Sequence, residues 1–92
     1  MTDFAVLKAR WMQDPEFKAE YDALEDEFAL AAQLIQARSA RGLTQAQVAQ
    51  RMGSRQSVIA RLEASKGLPN IKTLHRYAQA VGYKLNIGLS PA

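Results

Sequence analysis

The side chains best suited to recognition chemistry cluster in the stretch "SRQSVIARL", residues 54–62. They are Arg55, Gln56, Ser57 and Arg61. Arginine and glutamine can each form two parallel hydrogen bonds with one planar partner, and serine adds a hydroxyl that both donates and accepts. If this stretch is a helix, these polar groups occupy its leading end and outward face. They are therefore placed to contact a molecule outside the protein.

Other residues that could support catalysis or metal binding are poorly arranged for it. The chain has no cysteine and one histidine, His75, without an adjacent carboxylate to complete a metal site. Glu25, Asp26 and Glu27 are consecutive, so on a helix they fan apart and cannot converge as an acid and base pair. Ser57 has no histidine and aspartate arrangement to activate it. We therefore predict a protein that is not an enzyme and needs no cofactor, metal or small-molecule substrate.

Charge is divided unevenly along the chain. Residues 1–29 contain three basic and eight acidic side chains, a net charge of −5. Residues 30–92 contain nine basic side chains and one acidic side chain, Glu63, a net charge of +8. A polyanion should be attracted to the second part and repelled by the first. The two parts are therefore predicted to contact different partners.

Length and hydropathy limit the size and location of the protein. Ninety-two residues, of which 48% are hydrophobic, predict one small domain without room for a large cleft. The first twenty residues lack the apolar run of a signal peptide, and no stretch approaches the roughly 20 apolar residues that cross a bilayer. We therefore expect a cytoplasmic protein that does not contact a membrane.

A long helix is predicted between residues 14 and 42. Asp14 can cap its start, Pro15 suits the first helical position, and Gly42 is typical of a helix end. Apolar residues recur at alternating spacings of four and three, as one face of a helix requires. They are Phe17, Tyr21, Leu24, Phe28, Ala31 and Ile35.

A short amphipathic helix is predicted ahead of the long one. Phe4, Leu7 and Trp11 are spaced by three and four residues, so they share one helical face. Thr2 or Asp3 can cap its start.

Two short helices joined by a tight turn are predicted after Gly42. Thr44 and Gln47 form a capping box, in which each side chain satisfies a backbone N–H of the other residue. Gly53 supplies a left-handed turn and Ser54 can cap the next helix. The buried side of that second helix is predicted to contain Val58 or Ile59, together with Leu62.

The C-terminal stretch "YKLNIGL" alternates apolar and polar residues, which is typical of a β-strand. Its apolar members are Tyr83, Leu85, Ile87 and Leu89. The chain offers no second strand to pair with it. We therefore predict pairing with the same segment of another copy in a homodimer, or with an edge strand of a different protein. The alternative is an extended tail that packs on its own domain.

The stretch "LTQAQVAQRMGSRQSVIARLE", residues 43–63, resembles the helix-turn-helix of the Cro and phage-repressor superfamily, also called the Xre family. Ala49 and Gly53 stand at the tight positions of the motif. Its core positions are occupied by Val48, Met52, Ile59 and Leu62. The continuation "LPNIKTLHRYAQAVGY" is similar to the family's following helix, so the likeness covers roughly residues 30–85.

This resemblance implies that the second helix of the pair enters the major groove of DNA. The residues it assigns to base reading are Arg55, Gln56, Ser57 and Arg61. Those assigned to phosphate contacts are Thr44, Gln45, Lys66, Asn70 and Lys72. Arginine suits guanine O6 and N7, glutamine suits adenine N6 and N7, and a homodimer would present two such helices to half-sites one DNA turn apart. The alternative is a helical module for protein contacts, with ordinary solvated polar residues.

The acidic run "DPEFKAEYDALEDEFALA" ahead of this domain is similar to that of HigA-like antitoxins, small regulators encoded with a toxin of the RelE and HigB type. The similarity implies a basic toxin protein, typically a ribonuclease, as the partner of residues 1–29. The expected apolar anchors are Phe4, Leu7, Trp11, Phe17 and Tyr21. One alternative is a helix that only extends the core or the dimer. Another is a free-standing Xre-family regulator without a toxin partner.

The predicted fold class is all-α. A compact helix-turn-helix bundle is expected in residues 30–82, an acidic helical extension in residues 1–29, and a short β-strand with a tail in residues 83–92. The predicted function is that of a sequence-specific regulator that binds an operator on double-stranded DNA. As the antitoxin of a toxin-antitoxin pair, it would neutralise the toxin and repress its own operon.

Overall fold

The structure is a computed structural model that describes residues 3–91. Five α-helices follow one another in this range. They are α1 (Phe4–Trp11), α2 (Pro15–Ala40), α3 (Gln45–Met52), α4 (Gln56–Glu63) and α5 (Ile71–Ala80). A helix of 26 residues is about 39 Å long at 1.5 Å per residue, so α2 accounts for most of the 47 Å length of the molecule.

The first two helices begin as their capping residues predict. The Asp3 side chain caps α1, whereas the alternative cap, Thr2, lies outside the described residues. The Asp14 side chain accepts a hydrogen bond from the backbone N–H of Glu16, and Pro15 is the first helical residue. Gly42, two residues beyond the end of α2, has a φ of +66°, the left-handed conformation that ends many helices.

The turn between α3 and α4 is built from the two devices that its sequence predicts. The Thr44 side chain accepts a hydrogen bond from the Gln47 backbone N–H, and the Gln47 side chain accepts one from the Thr44 backbone N–H. Gly53 ends α3 with a φ of 62°, a conformation that is strained for residues with a Cβ. The chain therefore reverses without a longer loop.

The predicted capping role of Ser54 is wrong. Its backbone N–H donates to the Ala49 carbonyl at 2.8 Å, a bond that closes the end of α3. Ser54 therefore belongs to the turn, and α4 begins one residue later than predicted, with Arg55 as its N-cap.

The core lies where α3, α4 and α5 pack on the C-terminal half of α2. The buried members of this cluster are Leu34, Val48, Ala49, Met52, Ile59, Tyr77, Ala80 and Val81. Ile59 is fully buried, whereas Val58 is 40% exposed. Helical periodicity allowed either residue on the buried side of α4, and the structure places Ile59 there. The N-terminal half of α2 and the whole of α1 lie outside this core, since the buried residues of α2 are Ala31 and Leu34 and α1 has none.

The predicted C-terminal β-strand is wrong, whereas the all-α helix-turn-helix bundle agrees with the structure. No strand occurs in residues 3–91, and the last backbone hydrogen bond toward the C-terminus is donated by Tyr83. The predicted strand residues Tyr83, Leu85, Ile87 and Leu89 instead lie in a segment without regular secondary structure. A strand exists only when its backbone pairs with another extended segment, and the described part of the chain offers none.

Candidate nucleic-acid interface

The leading end of α4 presents the four predicted base-reading side chains to solvent. Arg55 occupies the N-cap position, where its side chain makes no capping hydrogen bond. Gln56 and Ser57 form the first turn of the helix, and Arg61 lies one turn beyond Ser57. All four are exposed. Within residues 3–91, no hydrogen bond or ion pair joins these side chains to another residue, so they can reach outward.

Val58 is a candidate contact residue that the sequence did not single out. It is 40% exposed on the outward side of α4, because the neighbouring Ile59 takes the core position. An apolar side chain among polar readers can contact the methyl group of thymine. Helical periodicity alone could not identify it, since Val58 and Ile59 both have suitable spacing to Leu62.

A groove of about 340 Å³ lies between α4, the loop that follows it and the start of α5. It brings together Arg61, Lys66 and Asn70, one predicted reader and two predicted phosphate contacts. The Asn70 side-chain oxygen caps α5 by accepting a hydrogen bond from the Thr73 N–H at 2.8 Å. Its amide group still has two donors to offer. Lys72 is exposed in the first turn of α5, outside the groove lining.

The two predicted phosphate contacts at the start of α3 also have structural roles. The Thr44 hydroxyl accepts from a backbone N–H as part of the capping box, which leaves its own proton available to donate. Gln45 is half-buried, and its side-chain amide donates to Glu63 at 3.3 Å. Any contact between Gln45 and a phosphate must therefore share this amide with the interior of the domain.

A partly buried ion pair fixes α4 against the rest of the bundle. The Arg38 guanidinium, on α2, donates to both carboxylate oxygens of Glu63, the last residue of α4, at 2.8 to 3.1 Å. It also donates to the Leu43 carbonyl at 2.9 Å. The Tyr77 hydroxyl, on α5, lies 2.8 Å from Glu63 Oε2 and 2.9 Å from the Leu34 carbonyl oxygen, so its one proton has two acceptors. With the Gln45 amide of α3, which also donates to Glu63, four helices are joined at one carboxylate.

This arrangement shifts the pKa values of the groups that form it. Burial alone would raise the pKa of Glu63, but hydrogen bonds from Arg38, Tyr77 and Gln45 and the positive charge of Arg38 outweigh burial and lower it. Burial and the adjacent Glu63 carboxylate raise the pKa of Tyr77 well above its ordinary value. The charged carboxylate and the neutral phenol are therefore the stable forms at neutral pH. Sequence reasoning missed this network, although a lone acid among nine bases was its visible signal.

Three further arginines are engaged at backbone carbonyl groups near helix ends. A cation in this position complements the negative end of the helix dipole. The donors and their acceptor carbonyls are Arg41 with Gly82, Arg51 with Ala80 and Arg76 with Met52. Together with Arg38, they account for four of the nine basic side chains of residues 30–92. The other five are Arg55, Arg61, Lys66, Lys72 and Lys84, and four of these belong to the predicted DNA-contact set.

The predicted partner anchors lie in the N-terminal extension, away from the core, and several of them touch one another. The Trp11 and Phe17 ring centroids are 5.4 Å apart, and those of Phe17 and Tyr21 are 6.1 Å apart. The Lys8 ammonium lies 4.7 Å from the centre of the Tyr21 ring. Leu7, Phe17 and Tyr21 are half-buried, whereas Phe4 and Trp11 are exposed. These contacts fold α1 back on the first turns of α2.

No helix in residues 3–91 combines the length and apolar character that a bilayer crossing requires. The same residues contain no group of three or more histidine, aspartate or glutamate side chains that could hold a metal ion.

A family model described as helix-turn-helix matches residues 34–87, more than half of the chain. The protein therefore belongs to the helix-turn-helix family of DNA-binding domains, of the Xre type, and the prediction made from residues 43–63 is confirmed. Comparison with solved structures gives no significant match.

Curated relatives agree with the second resemblance. Antitoxin HigA1 of Mycobacterium tuberculosis, from strain CDC 1551 / Oshkosh and from strain ATCC 25618 / H37Rv, is 37% identical to this chain over 76 residues. The match covers 83% of this chain and 51% of each relative, so the chain spans about half the length of the curated relatives it matches. The predicted similarity to HigA-like antitoxins is confirmed.

Proposed function

We propose that the protein is a sequence-specific transcriptional regulator that reads its operator with the start of α4. The observation that carries this proposal is that the polar side chains at the start of α4 are exposed, whereas α4 itself is held against the bundle. Arg55, Gln56 and Arg61 extend into solvent, while the ion pair between Arg38 and Glu63 holds the helix that bears them. Donors on the outward side of a helix held in this way suit the edges of bases in the major groove.

The test uses a DNA duplex that the wild-type protein selects from a random-sequence pool. Replacing Gln56 or Arg61 with alanine should cost about 1 to 3 kcal/mol on this duplex and much less on random DNA. Fluorescence anisotropy titrations on both duplexes measure the difference. Equal losses on selected and random DNA would show that α4 does not read sequence.

We further propose that the protein is an antitoxin that neutralises a basic toxin and represses its own operon. Support comes from its similarity to Antitoxin HigA1 and from the net charge of −5 in residues 1–29. On this proposal, residues 1–29 form the toxin-binding part and residues 30–82 form the DNA-binding part. Phe4, Leu7, Trp11, Phe17 and Tyr21 act as the apolar anchors.

Co-expression with the product of the adjacent reading frame tests the antitoxin proposal. A toxic, basic product should be neutralised by the protein, should co-purify with it, and should change its titration of operator DNA. Trp11→Ala and Phe17→Ala should weaken neutralisation while circular dichroism and operator binding stay unchanged. An adjacent product that is neither toxic nor bound would favour the second candidate, a free-standing Xre-family regulator.

Operator binding is proposed to involve a homodimer. Two copies related by a two-fold axis would place two α4 helices at half-sites one DNA turn apart. Sedimentation of the protein with the selected duplex should give two copies per duplex. The sequence of the selected duplex should be palindromic. A single copy on a sequence without two-fold symmetry would contradict the dimer.

A further inference from the structure

The long helix α2 has a second apolar face besides the one that joins the core. Leu34 packs in the core of the bundle, whereas the buried Ala31 lies between this face and the second one. The other face, here called the outer stripe, consists of Phe17, Tyr21, Leu24, Phe28 and Ile35. At 3.6 residues per turn, these five positions fall within about 60° of one another around the helix. The outer stripe is therefore one continuous surface.

The chain itself covers the beginning of the outer stripe. Helix α1 folds back so that Trp11 packs on Phe17 and the Lys8 ammonium lies over the Tyr21 ring. Between Phe4 and Trp11, α1 carries two basic residues, Lys8 and Arg10, and no acidic residue. A short basic helix that carries apolar side chains is thus the structure that this surface already accepts.

The rest of the outer stripe has no cover within residues 3–91. Leu24 is 50% exposed, Phe28 is 60% exposed and Ile35 is 37% exposed. They follow Tyr21 directly along the same face, beyond the position that Lys8 occupies. Large apolar side chains that line up on one exposed face mark an interaction surface more often than isolated ones do.

Charge indicates what kind of partner fits this face. Glu20 and Glu27 flank the outer stripe on one side, and Glu25 flanks it on the other. Lys18 is the one basic residue on these flanks over residues 17–28. A second copy of α2 laid along the stripe would bring mostly carboxylates against carboxylates, whereas basic side chains would pair with them.

We propose that Leu24 and Phe28 are the anchor residues for a basic amphipathic helix of a partner protein, which lies on α2 next to α1. Glu25 and Glu27 contact its basic side chains from either side of the stripe. The inference rests on the proposed function because it names the face and the chemistry by which the extension takes its basic partner. It also adds two anchors to those of the extension, since Leu24 and Phe28 stay exposed beyond the cluster in which Trp11 and Tyr21 each pack on Phe17.

A synthetic peptide tests the face without knowledge of the partner. The probe is a fluorescein-labelled amphipathic helix of leucine and lysine, about five turns long, compared with a peptide of the same composition in scrambled order. The full-length protein should bind the amphipathic peptide more tightly, and added salt should weaken the binding. The double variant Leu24→Ala/Phe28→Ala should lower its affinity about 10-fold or more, whereas Gln33→Ala, on another face of α2, should not. Equal affinity in the double variant and the parent would overturn the proposal.

A matched pair of charge reversals tests the flank. Glu25→Lys and Asp26→Lys change net charge equally and stand one residue apart, but Asp26 points away from the stripe. Glu25→Lys should lower the affinity for the amphipathic peptide by a larger factor than Asp26→Lys, and equal effects would contradict the assigned face.

Sedimentation supplies a further check on the occupant of the stripe. If the parent is a dimer and Leu24→Ala/Phe28→Ala converts it to a monomer, the stripe binds a second copy and the proposal is overturned.

The product of the adjacent reading frame separates this inference from the proposed function. If that product binds the parent and Leu24→Ala/Phe28→Ala equally well, the antitoxin function stands and the docking face is wrong. If it does not bind while the amphipathic peptide depends on Leu24 and Phe28, the docking face stands and the toxin partner is wrong.

Discussion

At the scale of single residues, Glu63 connects the stability of the fold to the position of α4. Its carboxylate is buried and receives three hydrogen bonds from Arg38, so removing its charge leaves a guanidinium without its partner. Glu63→Gln should lower the free energy of unfolding by about 1.5 to 3 kcal/mol, the range for hydrogen bonds to a charged group. Urea denaturation measures this loss, and the exposed substitution Glu16→Gln is its control. A loss below about 0.5 kcal/mol, the range of ordinary surface changes, would show that the pair does not hold α4.

The raised pKa of Tyr77 predicts a dependence on alkaline pH. A raised folded-state pKa means that the phenol stabilises the fold fully below its unfolded pKa near 10.0 and loses this contribution as the pH rises further. At pH 7, Tyr77→Phe should cost about 1.5 to 3 kcal/mol, because a hydrogen bond to a charged group is lost. This difference between parent and variant should shrink above pH 10. A difference that stays constant from pH 7 to pH 11 would contradict the assigned pKa shift.

The lowered pKa of Glu63 has the opposite consequence at acidic pH. Its contribution is present above the unfolded pKa near 4.5 and is lost as the pH falls through the lower folded-state pKa. The parent should therefore lose stability below about pH 4.5 more steeply than Glu63→Gln. Thermal unfolding of the parent and of Glu63→Gln between pH 3 and pH 7 gives the two curves of stability against pH. Parallel curves would mean that Glu63 does not titrate differently in the folded protein.

At the scale of elements, the turn between α3 and α4 depends on the left-handed conformation of Gly53. A Cβ at this position would meet no atom within 4 Å, so the cost of Gly53→Ala comes from its φ of +62° alone. We expect a loss of about 1 to 2 kcal/mol in unfolding free energy. Gly88→Ala, where φ is not positive and the space is equally open, should be neutral. Equal stability of the two variants would contradict this account of the turn.

The same elements show why the sequence predicted some parts of the structure and missed others. Local signals fixed α2, α3 and the turn, because the Asp14 cap, the capping box of Thr44 and the φ of Gly53 each act within a few residues. The strand prediction for the C-terminal segment was wrong because the alternation of apolar and polar residues describes only side chains. A strand also depends on backbone hydrogen bonds to another extended segment. The network of Glu63 and Tyr77 joins residues 14 positions apart, which no local pattern reveals. The proposed base-reading residues of the sequence, Arg55, Gln56, Ser57 and Arg61, could be selected because polar side chains interrupt the apolar spacing of a core helix.

At the scale of the whole molecule, the charge division is sharper than the net charge of +3 indicates. Of the basic side chains in residues 30–92, four donate to backbone carbonyl groups or to Glu63, and four of the other five are the proposed DNA contacts. Lys72→Ala should therefore weaken binding to selected and random DNA alike and reduce the slope of log affinity against log salt by about 1. Arg51→Ala, which removes the same charge from a donor to the Ala80 carbonyl, should leave that slope nearly unchanged. Salt titrations that show equal slope changes for both variants would contradict this division.

The central claim, that the start of α4 reads bases, is tested most directly by combining a protein change with a DNA change. Each base pair of the selected duplex is replaced in turn, and the affinities of the parent and of Gln56→Ala are measured for the whole series. The parent should lose about 1 to 3 kcal/mol at each base pair that it reads. Gln56→Ala should lose discrimination at one base pair, or two adjacent ones, and keep the parent's losses elsewhere. If Gln56→Ala and the matching series for Arg61→Ala discriminate at every position as the parent does, α4 does not read the sequence.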